Sequence, residues 1–452
     1  MPDLPVPNAG LPLTRDDMAR VALRSLEIAR ERGASDAEVE VSSAVGQSVT
    51  VRRGEVETVE YNRDKGMGIT VYFGKRRGNA STTDVSDEAL ARTVEAACAI
   101  ARHTSEDDAA GLPDEDRIFR GELPDLHLFH PWGLSVEEAI EVAKRAEAAA
   151  LAVDRRITNS EGGTVSSYDT DFVLANTRGF LDGFPSSKSS VSVGVVAEER
   201  GAMQRDYWYT SERDPARLED AERVGRIAGE RTVRRLGARR IPTCEVPVLF
   251  DANVAGSLLS HFVSAASGSS LYRRSSFLLD RLGTALFAPH VELIEDPHRP
   301  GDQASAYFDA EGVATSRRGI IEGGVLKGWF LSSYSARKLG LETTGNAGGN
   351  HNLLLTPGPL DFAGLVKQMG RGLVVTEMMG QGVNPVTGDY SRGAAGFWVE
   401  GGEIRFPVEE VTIAGHLLDM YKGIVAVGND VLIRGSKHTG SILIDRMTIA
   451  GE

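Results

Sequence analysis

Apolar residues recur at helical spacing in four stretches of the first half of the chain, with polar residues between them. The first stretch follows Thr14 and stops at Gly33, and the second covers about 86–102. The third follows Ser135, and the fourth covers about 215–236. Thr14 and Ser135 each have an acidic residue three positions on, which is the pattern of a capping box. We therefore predict four amphipathic helices in this half.

Between these helices, apolar and polar residues alternate, as they do in strands that bury one face. Val, Ile, Thr and Tyr are frequent there, and glycines separate the runs. This pattern predicts an antiparallel meander. The alternating segments are DAEVEVSS, QSVTVRRG, VETVEYNR and GITVYFGKRRGNASTT before the second helix, and TVSSYDTDFVLANTRG and SSVSVGVVAEE after the third.

Residues 104–134 show neither pattern over any length. The segment is acidic and contains several prolines, so we interpret it as a long surface connection between two parts of one N-terminal domain. The stretch GARRIPTCEVPVLFD, at 237–251, combines a helix-stopping glycine, prolines and a new apolar run. We place a domain boundary there, which gives an N-terminal domain of residues 1–240 and a C-terminal domain of residues 241–452.

The C-terminal part has a different pattern, in which glycine clusters separate β-rich runs. Gly-Gly pairs in IIEGGVLKGWFL and FWVEGGEIRFPV are typical of hairpin turns, and GSILIDRMTIAG is typical of a strand. These features predict a mainly antiparallel β domain with a few helices. The predicted fold class is therefore α+β, with an N-terminal α/β domain of meander and packed helices followed by this β domain.

Composition excludes several functional classes. The formal net charge is −14 and the pI is near 5.3, so basic residues are not in excess and we predict no direct binding to nucleic acid. No apolar run approaches the roughly 18 residues of a membrane helix. The two cysteines, Cys98 and Cys244, lack CxxC spacing. We predict a cytoplasmic protein that neither spans a membrane nor depends on a disulfide.

The motifs of common hydrolases are missing from the sequence. None of the nine histidines is followed by Glu, which a zinc-binding helix of the usual kind requires. His127 and His130 lie in the proline-bearing connection, where we expect a surface role. No GxSxG motif and no P-loop spacing occur.

The stretch GSLLSHFVSAASGSSLYRRSSF, at 256–277, puts one histidine and several serines into an otherwise apolar helix. By spacing, His261 lies at the edge of the apolar face beside Ser260 and Ser264. A histidine in such a position is more often a hydrogen-bonded residue at a helix boundary than a catalyst. The alternative is a hydrolase in which His261 activates Ser260 or Ser264, although no acidic residue stands where it would orient the ring.

Four stretches of the chain, taken together and in order, are more specific for a family than any one of them alone. They are LLSHFVSAASGSSLYRRSSFLLDRLGTALFAP, TTGNAGGNHNLLLTPG, NPVTGDYSRGAAGFWVEGGEI and GSILIDRMTIAG. Together they resemble the TldD/PmbA family, and specifically its PmbA branch, also called TldE. The resemblance spans nearly the whole chain and is densest from about residue 246 onward.

This resemblance implies a soluble bacterial or archaeal zinc metalloprotease that is built as a TldD plus TldE heterodimer and acts on unfolded or short peptides. It also implies links to maturation of a peptide antibiotic, to antitoxin turnover and, by name, to modulation of DNA gyrase. In the TldD branch, the zinc is held by a His-Glu-x-x-x-His helix and by a cysteine much later in the chain.

The present chain departs from that zinc-binding pattern. When SSFLLDRLG sets the register, the two histidine positions fall near Leu259 and Ser264 and the glutamate position near Ser260. His261 is close but out of register, and no cysteine follows Cys244. Leucine cannot ligate zinc and neutral serine is a poor ligand, so we predict no metal site, no catalytic residue and no cofactor in this chain.

The leading hypothesis is a non-metal subunit of a heterodimeric zinc metalloprotease, with a TldD-like, zinc-bearing homologue as partner and a peptide as substrate. We expect His261, Asn350 and His351 to face a shared cavity or contact the peptide. For Asn350 and His351, the competing interpretation is a surface turn before a strand. For the whole chain, the competing hypothesis is a stand-alone peptide-binding or regulatory homodimer without enzymatic activity.

Overall fold

A computed structural model of the protein describes residues 10–121 and 124–451. Its helices are α1 (Arg15–Glu31), α2 (Asp87–His103), α3 (Val136–Leu151), α4 (Ala221–Arg234), α5 (Ala252–Ala266), α6 (Gly268–Tyr272), α7 (Ser333–Leu339), α8 (Phe362–Met369) and α9 (Leu417–Lys422). Its strands in the N-terminal half are β1 (Asp36–Arg52), β2 (Glu55–Phe73), β3 (Arg76–Thr82), β4 (Ile157–Asn176), β5 (Leu181–Asp182), β6 (Ser186–Glu199) and β7 (Ala202–Glu212).

The C-terminal strands are β8 (Cys244–Phe250), β9 (Leu293–Glu295), β10 (Arg318–Glu322), β11 (Val325–Leu326), β12 (Leu353–Leu355), β13 (Gly372–Met379), β14 (Asp389–Glu400), β15 (Glu403–His416), β16 (Ile424–Val427), β17 (Leu432–Arg434), β18 (Lys437–Thr439) and β19 (Ile442–Ala450). The predicted α+β class is confirmed. Among the described helices, none has the length and apolar character that crossing a membrane requires.

The N-terminal half is built on one antiparallel sheet with the order β3-β2-β1-β4-β6-β7, and β5 pairs with β4. The predicted meander is therefore present. The four alternating segments before α2 form only three strands, because the first two belong to β1, and the third and the start of the fourth belong to β2. Ser43, Ala44, Val45 and Gly46 of β1 are all buried, which interrupts the alternation that marks a half-buried strand.

Four helices cover one face of this sheet in two pairs. The first pair, α1 and α2, packs mainly on β1, β2 and β3, and the second pair, α3 and α4, packs mainly on β4, β6 and β7. Each pair encloses its own apolar cluster. Both predicted capping boxes are present, at Thr14 with Asp17 and at Ser135 with Glu138.

The fourth predicted helix is shorter than 215–236. Pro215–Arg217 is a separate 3-10 turn, and α4 starts after Asp220, whose carboxylate accepts from two backbone N–H groups of the first turn at 3.0 and 3.2 Å. Helix α4 then crosses α3 at close range, since a Cβ on Gly225 would lie 2.0 Å from the carbonyl oxygen of Ala146. Only glycine fits at this crossing.

The connection between α2 and α3 contacts both halves of the molecule. Its described residues form no helix or strand, yet several of its side chains, such as Leu126, are buried. Arg337 of α7 donates to the carbonyl oxygens of Gly111 and Leu112 at 3.0 and 2.6 Å. The Leu126 N–H donates to the Tyr307 hydroxyl at 3.0 Å. The connection therefore lies between the N-terminal sheet and the C-terminal half.

The C-terminal half contains two six-stranded sheets, with the orders β11-β10-β9-β12-β18-β17 and β15-β14-β13-β8-β19-β16. Most pairings are antiparallel, but β12 pairs with β18, and β13 with β8, in parallel. The two Gly-Gly hairpins join β10 to β11 and β14 to β15, and all four glycines have positive φ. One apolar core includes side chains of both sheets and of α5.

Candidate functional site

Helix α5 carries the positions that the resemblance aligns with zinc ligands. It starts directly after β8, where the Asp251 carboxylate caps it by accepting from the Asn253 N–H at 2.9 Å. Leu259 is 1% exposed and belongs to the apolar core of the C-terminal half. Ser260 and Ser264 are exposed. The first of the three positions therefore holds a buried hydrocarbon side chain that has no donor atom for a metal.

The two serines engage groups of their own helix and of the turn that follows it. The Ser260 hydroxyl donates to the Gly256 carbonyl oxygen at 3.2 Å. The Ser264 carbonyl oxygen accepts from two hydroxyls of the following turn at 2.9 and 2.8 Å. A serine hydrolase needs a hydroxyl that donates to the imidazole, and Ser260 donates to the backbone instead. This geometry gives the Ser260 and His261 alternative no support.

His261 is half-buried and lies edge-on to Tyr390, with 5.9 Å between the ring centroids. Burial lowers the pKa of its imidazole, and the nearby Arg392 lowers that pKa further. The imidazole is therefore neutral near pH 7. Its Nε2 atom and the Nε atom of Arg392 are both buried without a hydrogen-bond partner among the described residues. Unpaired buried groups of this kind are suited to a polar group of a bound ligand.

The Glu295 carboxylate organises the loop that contains the other two predicted residues. Glu295 is 1% exposed and accepts from the Arg318 guanidinium at 2.8 and 2.7 Å. It also accepts from the Asn346 side-chain amide and from the His351 backbone N–H, each at 2.8 Å. Because every bond is made to one buried charge, the loop before β12 is held in one conformation.

Asn350 and His351 both have partners inside the chain. His351 is 8% exposed, and its Nε2 lies 2.9 Å from the Gly345 carbonyl oxygen, so this nitrogen carries the proton. The Asn350 amide donates to the Ser436 hydroxyl at 3.0 Å, and its Oδ1 accepts from Lys437 Nζ at 2.9 Å. Their orientation toward a cavity shared with a second chain stays a prediction.

Lys437 joins this loop to α5. A Cβ on Gly256 would lie 3.4 Å from the Lys437 Cβ, so the start of β18 passes close to the helix. Gly256, Ser260 and Ser264 are spaced four residues apart and therefore follow one side of α5. Burial lowers the pKa of Lys437. The Asn350 side chain and α5 therefore both lie next to Lys437.

Sequence reasoning missed Lys437, Tyr390 and Arg392. Lys437 lies in RGSKHTG, whose only local signal is a turn. Tyr390 and Arg392 stand two residues apart at the start of β14, in a motif that carried the family resemblance but no assigned role. Strand spacing puts such a pair on one face, so predicting where β14 starts would have grouped them.

Within residues 10–121 and 124–451, no group of three or more His, Cys, Asp or Glu side chains is arranged to hold a metal ion. The two histidines of the connection, His127 and His130, lie with their rings 6.5 Å apart, and His130 Nε2 contacts the His127 carbonyl oxygen at 3.1 Å. Two histidines without a third ligand do not form a structural zinc site.

The same two-part α+β fold occurs in a solved structure from Bacteroides thetaiotaomicron that is described as a candidate modulator of DNA gyrase. The TM-score is 0.91 with 28% sequence identity, and the match covers 96% of this chain and 98% of that chain. The arrangement of N-terminal sheet, helix pairs and C-terminal β half is therefore that of an existing structural class.

Sequence comparisons identify the family. Models of PmbA/TldA metallopeptidase domain 1, central domain and C-terminal domain match residues 37–101, 129–236 and 243–451. The chain is 52% identical to Metalloprotease PmbA of Escherichia coli O157:H7 over 95% of both proteins. It is 47% identical to the Metalloprotease PmbA homolog of Haemophilus influenzae over 94% of both, and 22% identical to that organism's Metalloprotease TldD homolog over 90% of this chain and 88% of the homolog. The chain belongs to the PmbA/TldD metallopeptidase family, in its PmbA branch.

Proposed function

We propose that this protein is the non-metal subunit of a cytoplasmic, heterodimeric zinc metallopeptidase that acts on unfolded or short peptides. The zinc would be held by a TldD-like homologue. The observation that carries the proposal is the character of α5, where Leu259 is buried in the core and the exposed Ser260 and Ser264 stand at the positions that the resemblance assigns to the glutamate and the second histidine.

The α5 residues that the resemblance aligns with the zinc-binding motif do not fit a zinc ion. Leu259 has no donor atom, the Ser260 hydroxyl already donates to a backbone carbonyl, and His261 contacts Tyr390 rather than a second ligand. The sequence also has no cysteine after Cys244. Peptide hydrolysis by zinc-activated water requires metal ligands and a general base, so in this proposal that chemistry comes from the partner chain.

Two observations support a partner of the TldD type and a peptide ligand. Haemophilus influenzae has both a PmbA homolog and a TldD homolog among the relatives of this chain. The unpaired Nε atom of Arg392 and the unpaired Nε2 atom of His261 offer a donor and a second polar group beside α5. A peptide backbone carbonyl could accept from Arg392 there, and Asn350 and His351 would contribute from the neighbouring loop.

The first test is reconstitution. Adding this chain to a TldD-like homologue that carries His-Glu-x-x-x-His should raise cleavage of an unstructured peptide well above the rate of the homologue alone. The rate is measured by mass spectrometry of the peptide at fixed zinc concentration. Equal rates with and without this chain, under conditions where the two proteins co-elute in gel filtration, would contradict the proposal.

The second test is the metal content of this chain by itself. We expect no stoichiometric zinc after purification and dialysis, because two of the aligned ligand positions are Leu259 and Ser264. Elemental analysis that finds about one zinc per chain, lost on His261→Ala, would show that the chain has a metal site of its own.

A further inference from the structure

A cavity of about 300 Å³ lies where the N-terminal and C-terminal halves meet, and we call it the seam pocket. The N-terminal half contributes Trp208 of β7 and residues of α4, among them Arg231 and Arg234. The C-terminal half contributes Asp251, at the start of α5, and Asp430, which precedes β17. The volume is at the lower end of the range for small-molecule sites, which are frequent at the junction of two domains.

Groups of opposite charge share the seam pocket without pairing with each other. Arg231 forms an ion pair with Asp206 of β7 at 3.3 Å, and the Arg234 guanidinium lies 4.8 Å from the centroid of the Phe397 ring. Among the described residues, no ion pair joins either arginine to Asp251. Opposite charges that line one cavity without direct contact leave room for a ligand that carries both charges.

Two guanidinium nitrogens in this region lack an acceptor. The Arg231 side chain is 15% exposed, and its Nε atom is buried without a hydrogen-bond partner among the described residues. The Nη2 atom of Arg434 is in the same state. The Arg434 Nε donates to Asn253 Oδ1 at 3.1 Å, and its guanidinium lies 4.6 Å from the Trp208 ring centroid, so it contacts two residues of the pocket lining. Buried donors without an acceptor are costly, and a ligand carboxylate would satisfy them.

The Asp251 carboxylate is the complementary anionic group. One of its oxygens accepts from the Asn253 N–H at 2.9 Å, and the other has no donor among the described residues. Burial raises the pKa of Asp251, although the bond to Asn253 and the charge of Arg231 lower it. Asp430 differs, because it already accepts from the N–H and the hydroxyl of Ser441 at 2.9 and 2.6 Å. A ligand ammonium group would give Asp251 both a donor and a counter-charge.

We infer that the seam pocket binds a free amino acid or a dipeptide with an apolar side chain, whose carboxylate accepts from Arg231 and whose ammonium group donates to Asp251. Trp208, Ile227 and Leu432 of the lining supply apolar surface for the side chain. His261 lies about 15 Å further along α5 than Asp251, so this site is separate from the one beside Tyr390. The inference does not depend on the proposed peptidase function.

Binding of modified ligands to the full chain tests the role of each ligand charge. The probes are L-leucine and L-leucyl-L-leucine, each compared with its N-acetyl form, which lacks the ammonium group, and with its C-terminal amide, which lacks the carboxylate. We expect at least one unmodified probe to bind at millimolar concentration or below, and its two modified forms to bind at least about tenfold more weakly. Isothermal titration calorimetry measures the affinities, and stabilisation against thermal unfolding is a second readout.

Two variants test which residue binds each charge. Asp251→Asn keeps an N-cap on α5, because asparagine accepts from the same backbone N–H, but it should remove the preference for the free amine over the N-acetyl form. Arg231→Gln should remove the preference for the free carboxylate over the amide. The matched controls are Asp361→Asn, which changes the N-cap of α8, and Arg226→Gln, at an exposed position of α4 outside the pocket lining. Both controls should bind the probes like the native chain.

Three results would overturn the inference. The first is that neither unmodified probe binds at millimolar concentration, which would mean that only water fills the pocket. The second is equal affinity for the free, acetylated and amidated forms. The third is binding that neither Asp251→Asn nor Arg231→Gln alters, which would place the site elsewhere. Circular dichroism distinguishes a loss of binding from a loss of fold, and Asp251→Asn alone decides the outcome if Arg231→Gln does not fold.

Discussion

The loop before β12 depends on a single buried charge. Glu295 neutralises Arg318, and it fixes the loop through the Asn346 amide and the His351 backbone. A carboxylate buried this deeply is tolerated only because its oxygen atoms are fully hydrogen-bonded. Its removal would leave the Arg318 guanidinium, which is 18% exposed, without a counter-charge.

We predict that Glu295→Ala lowers the free energy of unfolding by about 3–5 kcal/mol, the usual effect of removing one partner of a buried ion pair. Urea denaturation measures the change. The control is Glu322→Ala, an exposed glutamate on β10, which should change stability by less than about 0.5 kcal/mol. Equal stability of the two variants would mean that the loop does not need Glu295.

His261 is the residue most open to a catalytic interpretation. We predict that His261→Ala changes peptide cleavage by the reconstituted pair less than about tenfold, because the imidazole contacts Tyr390 and none of the described carboxylates hydrogen-bonds to it. A general base contributes about 10²- to 10⁴-fold. A loss of that size, with the heterodimer intact in gel filtration, would make His261 a catalytic residue.

Among the elements, helix starts could be predicted because their signals are local. The Thr14 and Ser135 caps are each visible within four residues of sequence. Strand lengths could not be predicted in the same way, because alternation depends on what covers each face. Four consecutive buried residues interrupt it in β1, and residues 55–65 of β2 are exposed on both faces although their sequence alternates.

Two glycines in helices give opposite predictions. Gly225→Ala should destabilise the protein by about 1–3 kcal/mol, because its Cβ would lie 2.0 Å from the Ala146 carbonyl oxygen and would push α3 and α4 apart. Gly256→Ala in α5 should be neutral or stabilising by up to about 1 kcal/mol, because its nearest contact would be 3.4 Å from Lys437. Thermal unfolding of both variants tests the two predictions. A destabilised Gly256→Ala would show that α5 and β18 cannot move apart to accommodate the added methyl group.

At the scale of the whole molecule, the site joins residues that the sequence keeps far apart. Lys437 and Asn350 are bonded across 87 positions, because β12 and β18 are parallel neighbours. No local pattern specifies that adjacency. His261, Asn350 and His351 could therefore be identified from sequence motifs, whereas the groups that contact them can be identified only from the tertiary structure.

Acidic side chains also meet where the two halves join. Burial and, second to it, the charge of Glu311 raise the pKa of Glu38 in β1 and of Asp309 in the C-terminal half, each to about 7. The ordinary pKa is 4.5 for Glu38 and 3.8 for Asp309. From those values up to about pH 7, these two carboxyl groups bind more protons in the folded protein than in the unfolded chain. Stability from these groups is fully present below that window and is lost as the pH rises through about 7.

We predict that the free energy of unfolding of Glu38→Gln, taken relative to that of the native chain, rises between pH 5 and about pH 7.5, because an amide does not titrate. The lowered pKa values of His261, His298 and His438 act in the opposite direction to Glu38, but they are common to both proteins and cancel in this difference. Denaturation at a series of pH values measures it, with Glu322→Gln as the exposed control. Asp107 and Asp154, whose pKa values are about 2, act outside this window. An unchanged slope in Glu38→Gln would contradict the assignment.

The connection between α2 and α3 acquires some of its hydrogen-bond donors late in protein synthesis. Leu112 and Arg337 are 225 residues apart, and translation at about 5–20 residues per second needs roughly 10–45 s to cover that distance. During this interval the Leu112 carbonyl lacks the Arg337 donor, although β7, the last strand of the N-terminal sheet, is synthesised well before α7. In a nascent chain that ends before α7, this segment would stay exposed and would be a preferred site of proteolysis.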